Sequence, residues 1–172
     1  MSYRVEVSRR PGCTLFDLRG SAGGADTLFK HLRTAVPVRP NTVRVSDARA
    51  VYWVGPERWL LREEHGLPAG SPGMASPALP AGDTMPLNVS AVDVSDAYVR
   101  FSVAGPDALD VMSQATPLDL SPGTFPDGSA SYTEFFGTTA LTECVSAGTS
   151  FVVFVERSYA DYVEACLRRA AG

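Results

Sequence analysis

The chain has 172 residues, of which 45% are hydrophobic, 20% charged and 9% aromatic, the profile of an ordinary soluble globular protein able to bury about 70% of its unfolded surface. No apolar run approaches the roughly 18 residues of a membrane helix, and the opening MSYRVEVSRR lacks the apolar core of an export signal, so a cytoplasmic location is expected. The net charge of −4, a pI near 5.1 and a single dispersed lysine, Lys30, argue against nucleic-acid binding.

Charge is uneven along the chain. Through Arg62 there are 11 Lys/Arg against 5 Asp/Glu, and from Glu63 onward 4 against 14. Either the two halves present surfaces of opposite sign to a partner, or the fold interleaves them and averages the charge.

Tyr3–Ser8 alternates Tyr3, Val5 and Val7 with polar residues and predicts a half-buried strand. Pro11-Gly12 turns the chain into a returning strand over Thr14–Arg19. Asp26 then caps a helix to Ala35 with Leu28, Phe29, Leu32 and Ala35 inward, and Pro37 stops it. Val51–Val54, the turn Gly55-Pro56-Glu57-Arg58 and Trp59–Leu61 read as a hairpin with both tryptophans beside one turn. Core packing is the expected role of Trp53 and Trp59, with an interface anchor as the alternative.

From His65 to Asn88 the pattern dissolves into a proline- and glycine-rich loop that divides the chain into lobes at 1–64 and 89–172. Val89–Val94 and Tyr98–Val103 are the next strands, with Val99, Phe101 and Val103 on one face. Gly105-Pro106 makes a corner into a helix that shows Ala108, Val111, Met112 and Ala115 to the sheet before Thr116-Pro117 ends it. Two strands follow near Ala130–Phe136 and Thr138–Val145, then a fully apolar run, Phe151–Val155. A last helix begins at a capping box of Ser158 and Asp161, with Tyr159, Tyr162, Val163, Cys166, Leu167 and Ala170 inward. The second half therefore reads β-α-β-β-α. The fold class is α+β, two small ferredoxin-like lobes with helices on one face of antiparallel sheets.

Chemistry is scarce. Cys13, Cys144 and Cys166 are odd in number and widely spaced, which disfavours disulfides and thiolate metal sites; Cys144 and Cys166 fall on expected buried faces. His31 and His65 are too few for a zinc set, and Glu63-Glu64 beside His65 reads as a solvated charge run. The glycine-rich Arg19–Asp26 reads as a turn, with anion binding as the alternative. Asp93 and Asp96, in VDVSDAYV, sit where a base or amine anchor would stand, but Asp and Ser at a strand end also bond nearby backbone amides. No catalytic, cofactor-binding or metal residue is expected in this chain.

VYWVGPERWLL (Val51–Leu61), VDVSDAYVRFSVAGPDALDVMSQATPLDL (Val92–Leu120), RSYADYVEACL (Arg157–Leu167) and HLRTAVPVRPNT (His31–Thr42) resemble the gamma subunit of heterotetrameric sarcosine oxidase. The central stretch also resembles the wider aminomethyltransferase family. The resemblance implies one domain over 1–172 with an aminomethyltransferase-like fold, and partnership with alpha, beta and delta subunits. It implies a complex that oxidatively demethylates sarcosine, or a related N-methyl amine, to glycine, hydrogen peroxide and formaldehyde or methylenetetrahydrofolate. FAD, FMN, NAD, tetrahydrofolate and zinc are then expected in the other subunits, with this chain structural. The alternatives are a stand-alone folate-dependent one-carbon protein using Asp93 or Asp96, and an RNA-modification accessory, which the acidic pI disfavours.

Overall fold

A computed structural model describes residues 3–31, 35–46, 49–64 and 88–172. The period-two stretches fold as strands and the longer amphipathic ones as helices: β1 (Glu6–Arg9), β2 (Cys13–Gly20), α1 (Ala22–His31), β3 (Val43–Ser46), β4 (Arg49–Gly55), β5 (Arg58–Glu64), β6 (Val89–Asp93), β7 (Tyr98–Ala104), α2 (Ala108–Ser113), β8 (Ala130–Phe135), β9 (Thr138–Ser146), β10 (Ser150–Glu156) and α3 (Ala160–Ala171). They divide into two units, Met1–Pro11 with Asp96–Gly172, and Gly12–Ser95.

The first unit is a five-stranded antiparallel sheet in the order β1-β7-β10-β9-β8. Alternation along YVRFSVA puts Val99, Phe101 and Val103 on one face of β7, all buried. The register sets Phe101 opposite Val153 and Val103 opposite Phe151 on β10. Ala108, Val111 and Met112 of α2 and Val163 and Leu167 of α3 cover that face, so each helix buries one stripe against the same side of the sheet. Between the helices the meander β8-β9-β10 supplies three strands where the β-α-β-β-α reading has two.

The second unit is also antiparallel, in the order β3-β4-β5-β2-β6. Its core gathers Phe16, Leu18, Phe29, Val51, Trp59 and Leu61, with Trp53 partly buried against them. Phe29 meets Trp59 edge to face at a centroid distance of 5.7 Å. The Trp59 indole N–H donates to the Pro37 carbonyl at 3.2 Å, so the one polar atom of this buried ring is satisfied. The hairpin tryptophans are core residues.

Four sequence expectations change. The lobe boundaries shift because β1 pairs with β7 in the C-terminal sheet while β6 pairs with β2 in the N-terminal one; hydrophobic alternation fixes a strand's inward face but not its neighbour. The first helix begins at Ala22, four residues before Asp26, which therefore lies inside it, and Ala35 is exposed beyond its end. Ser158 does not cap α3: Arg157–Tyr159 form a 3-10 turn, Tyr159 is the N-cap residue, and no side chain caps the helix. Finally, Tyr159 and Tyr162 are exposed rather than inward, and the buried stripe of α3 runs through Ala160, Val163 and Leu167. The expected loop at 65–88 lies outside the described residues except for Asn88.

Folding also redistributes the charge. The first unit has 7 Lys/Arg against 11 Asp/Glu, and the second has 8 against 8. The basic and acidic halves of the sequence thus average out within the second unit, and the net negative charge belongs to the first.

Candidate functional site

Asp93 ends β6 and its carboxylate accepts the Ser95 backbone N–H at 2.9 Å and the Ser95 hydroxyl at 2.6 Å. Those bonds hold it below the usual carboxylate range. The Ser95 hydroxyl in turn accepts the Leu15 N–H at 3.0 Å. Asp93 therefore closes a strand end, as Asp and Ser at such a position are expected to do. Asp96 offers its backbone carbonyl to Arg157 Nε at 2.5 Å, and its exposed carboxylate lies 3.6 Å from the same guanidinium.

Asp17 holds two arginines in the second unit. Arg58 donates to it at 3.1 and 2.8 Å and Arg19 at 3.3 and 2.9 Å, two forked pairs on one carboxylate. Burial pushes the Asp17 carboxyl up, but the hydrogen bonds and charges of Arg19 and Arg58 outweigh it and hold it below the ordinary range. A depressed carboxyl stabilises the fold above its unfolded value of about 3.9, and the effect fades as pH falls through the lower folded value. Asp17→Asn is thus expected to cost about 1.5–3 kcal/mol at neutral pH and to differ little from the parent chain near pH 2, measured as urea unfolding midpoints at the two pH values.

Arg19 belongs to this pair and Ala22–Asp26 form the first turns of α1, so Arg19–Asp26 is neither a free turn nor a loop. Glu63 and Glu64 are not simply solvated. Arg49 Nε donates to Glu63 at 2.5 Å across the β4–β5 ladder, and Arg62 Nε lies 3.2 Å from Glu64. Cys13 and Cys144 are buried and Cys166 partly so, and all three are free thiols. Burial, with Asp127 and Glu143 nearby, pushes the Cys144 thiol up to about 11, so it stays protonated and inert at neutral pH. The backbone of His31 ends α1, while His65 lies outside the described residues. Among the described residues no group of His, Cys, Asp and Glu is arranged to hold a metal ion.

The sequence gives no hint of one open depression in the first unit. A depression of about 510 Å³ is lined by Glu134 at the end of β8, Gly137, Thr138 and Thr139 from the turn into β9, Glu156 at the end of β10, and Tyr159. These residues are spread over 26 positions of sequence and meet only because β8, β9 and β10 form a meander whose ends come together. Its open form and paired carboxylates suit contact with a cationic group better than enclosed chemistry.

The architecture, two antiparallel sheets each with helices on one face, is the class of fold found in aminomethyltransferases. The glycine cleavage system aminomethyltransferase T from Bartonella henselae matches with a TM-score of 0.62 at 11% identity over 96% of this chain and 46% of its own. A chain of the heterotetrameric sarcosine oxidase from Corynebacterium sp. U-96, in complex with pyrrole 2-carboxylate, matches with a TM-score of 0.80 at 22% identity, covering 97% of this chain and 83% of that one. The model of the sarcosine oxidase, gamma subunit family matches residues 19–172, and the chain belongs to that family. No curated protein matches the sequence.

Proposed function

We propose that this chain is the gamma subunit of a heterotetrameric, flavin-dependent amine oxidase, working beside alpha, beta and delta subunits in the cytoplasm. The complex oxidatively demethylates sarcosine or a related N-methyl amine, giving glycine from sarcosine, hydrogen peroxide, and formaldehyde or methylenetetrahydrofolate. FAD, FMN, NAD, tetrahydrofolate and zinc belong to the other subunits, and this chain serves assembly rather than catalysis. Its 172 residues act as one gamma-type domain.

The observation that carries this reading is the family match over residues 19–172, nearly the whole chain. Two structural facts support it. The carboxylates that sequence pattern raises as candidates, Asp93 and Asp96, are engaged in a turn and an ion pair. The chain also spans less than half the length of the aminomethyltransferase it matches, and the part it shares is the fold. Among the described residues no helix is long and apolar enough to cross a membrane.

Coexpression with the other oxidase subunits tests the reading. Capture on a tag carried by the flavin-bearing subunit is expected to retain this chain in equal amount. An oxidase that forms and turns over fully while this chain stays in the flow-through contradicts it. The likeness to aminomethyltransferase T favours one other possibility, residual folate binding, which calorimetric titration of the purified chain with tetrahydrofolate addresses; no heat of binding is expected.

A further inference from the structure

The N-terminal segment is held differently from the central strands of its sheet. None of residues 3–10 is buried, and only Val5 and Val7 pack, partly, against the core of the first unit. β1 pairs on one side alone, Glu6–Arg9 against Phe101–Ala104 of β7. β10, on the other side of β7, is paired along both edges and buries Phe151, Val153, Phe154 and Val155. The apolar burial that fixes β10 is nearly missing from β1.

What secures the segment is polar and close to the surface. The Tyr3 N–H donates to the Ala171 carbonyl at 3.0 Å, and the Arg10 N–H to the Arg100 carbonyl at 2.8 Å. Arg4 gives Asp107 its backbone N–H at 2.8 Å and its guanidinium at 3.0 and 3.2 Å. The Arg9 guanidinium lies 3.2 Å from Asp161 and 3.6 Å from Glu164 on α3. The Arg4 side chain is 77% exposed and that of Asp161 95%, so water and salt screen both pairs.

Every one of these partners lies beyond Asp96, although the segment itself precedes the whole second unit. Its place on the sheet therefore exists only once β7 and α3 have formed. Gly105 marks the fit, since its missing β-carbon lets the backbone of Arg4 and Val5 lie against the corner.

We propose that Tyr3–Pro11 is a strap that opens and recloses on the folded first unit, latched by Arg4 on Asp107 and by Arg9 on Asp161. Opening breaks the β1–β7 ladder and both latches but leaves β7, β10, β9 and β8 paired under their helices. Local openings of this kind occur in the least buried parts of a fold. The open form turns β7 into the free edge of a four-stranded sheet, and closing covers that edge again. The strap does not depend on the gamma-subunit reading.

Amide hydrogen exchange on the full chain, followed segment by segment, tests it. The β1 amides bonded to β7 are expected to exchange about 100-fold faster than those of β10, and to ignore urea concentrations that speed β10. Arg4→Gln with Arg9→Gln is expected to speed β1 about tenfold more at low salt and to leave β10 unchanged. Salt at about 0.5 M is expected to bring the parent chain close to that variant.

β1 and β10 exchanging at one rate with one urea dependence overturns the strap, and the parent chain alone decides that. A double variant in which both strands speed up together overturns it as well, and so does one in which β1 exchanges as in the parent.

Discussion

Gly105→Ala is expected to be the most damaging small substitution in the chain, lowering stability by about 4 kcal/mol and the melting temperature by about 10 °C. Gly105 ends β7 at φ 145°, a conformation that side-chain-bearing residues rarely adopt. A β-carbon there would land on the Arg4 carbonyl oxygen and 2.9 Å from Val5 Cα, both backbone atoms of the segment leading into β1. Backbone strain of about 1–3 kcal/mol therefore adds to the displacement of an edge strand. The same corner is fastened from the other side. Asp107 accepts the Arg4 backbone N–H at 2.8 Å and its guanidinium at 3.0 and 3.2 Å, and these bonds hold the Asp107 carboxyl below its ordinary range. Gly123 is the control. A β-carbon added there meets nothing within 4 Å, so Gly123→Ala is expected to shift the unfolding midpoint by no more than about 0.5 kcal/mol. Equal midpoints for the two variants would refute the close approach of β1 to the Gly-Pro corner.

Phe101→Ala comes next, with an expected loss of about 3–5 kcal/mol. Phe101 is fully buried in β7, the strand between β1 and β10, and faces Val153 across the ladder under the two helices. Truncation removes a large apolar side chain and leaves a cavity that a strand paired on both sides cannot collapse to fill. Phe101→Leu keeps most of that volume and is expected to cost about 1.5 kcal/mol. Chemical unfolding of the full-length variants separates the two. A Phe101→Ala chain as stable as the leucine variant would mean that α2 and α3 do not close over this face.

Much of the fold was legible because burial on one face writes a period into the sequence. Val99, Phe101 and Val103, then Ala108, Val111, Met112 and Ala115, are all buried as their spacing predicts. What the spacing does not contain is the identity of neighbours. Val5 and Val7 show that β1 has an inward face, but nothing local says that its partner is β7, which begins at Tyr98, rather than β2, which begins 85 residues earlier at Cys13. Helix ends were misread for a related reason. Ser158 and Asp161 have the spacing of a capping box, yet the Asp161 carboxylate accepts a hydrogen bond from Arg9 at 3.2 Å instead. Tyr159 and Tyr162 have a helical apolar period without being buried, because an aromatic ring suits a surface as well as a core. The depression that Tyr159 borders was invisible in the sequence, since the rest of its lining comes from three strand ends and a turn that no motif links.

AGPDALDVM carries no reactive group because its residues make the frame. The glycine lets β1 approach, the aspartate ties down Arg4, and the apolar residues seat α2 on the sheet. In the gamma-subunit role proposed above, such a unit serves assembly. The native mass and flavin absorption of whatever co-purifies on a tag placed on this chain test that most directly. The expected result is a yellow complex with one copy of this chain beside the other oxidase subunits, and a colourless chain recovered alone from cells that make active oxidase would contradict it.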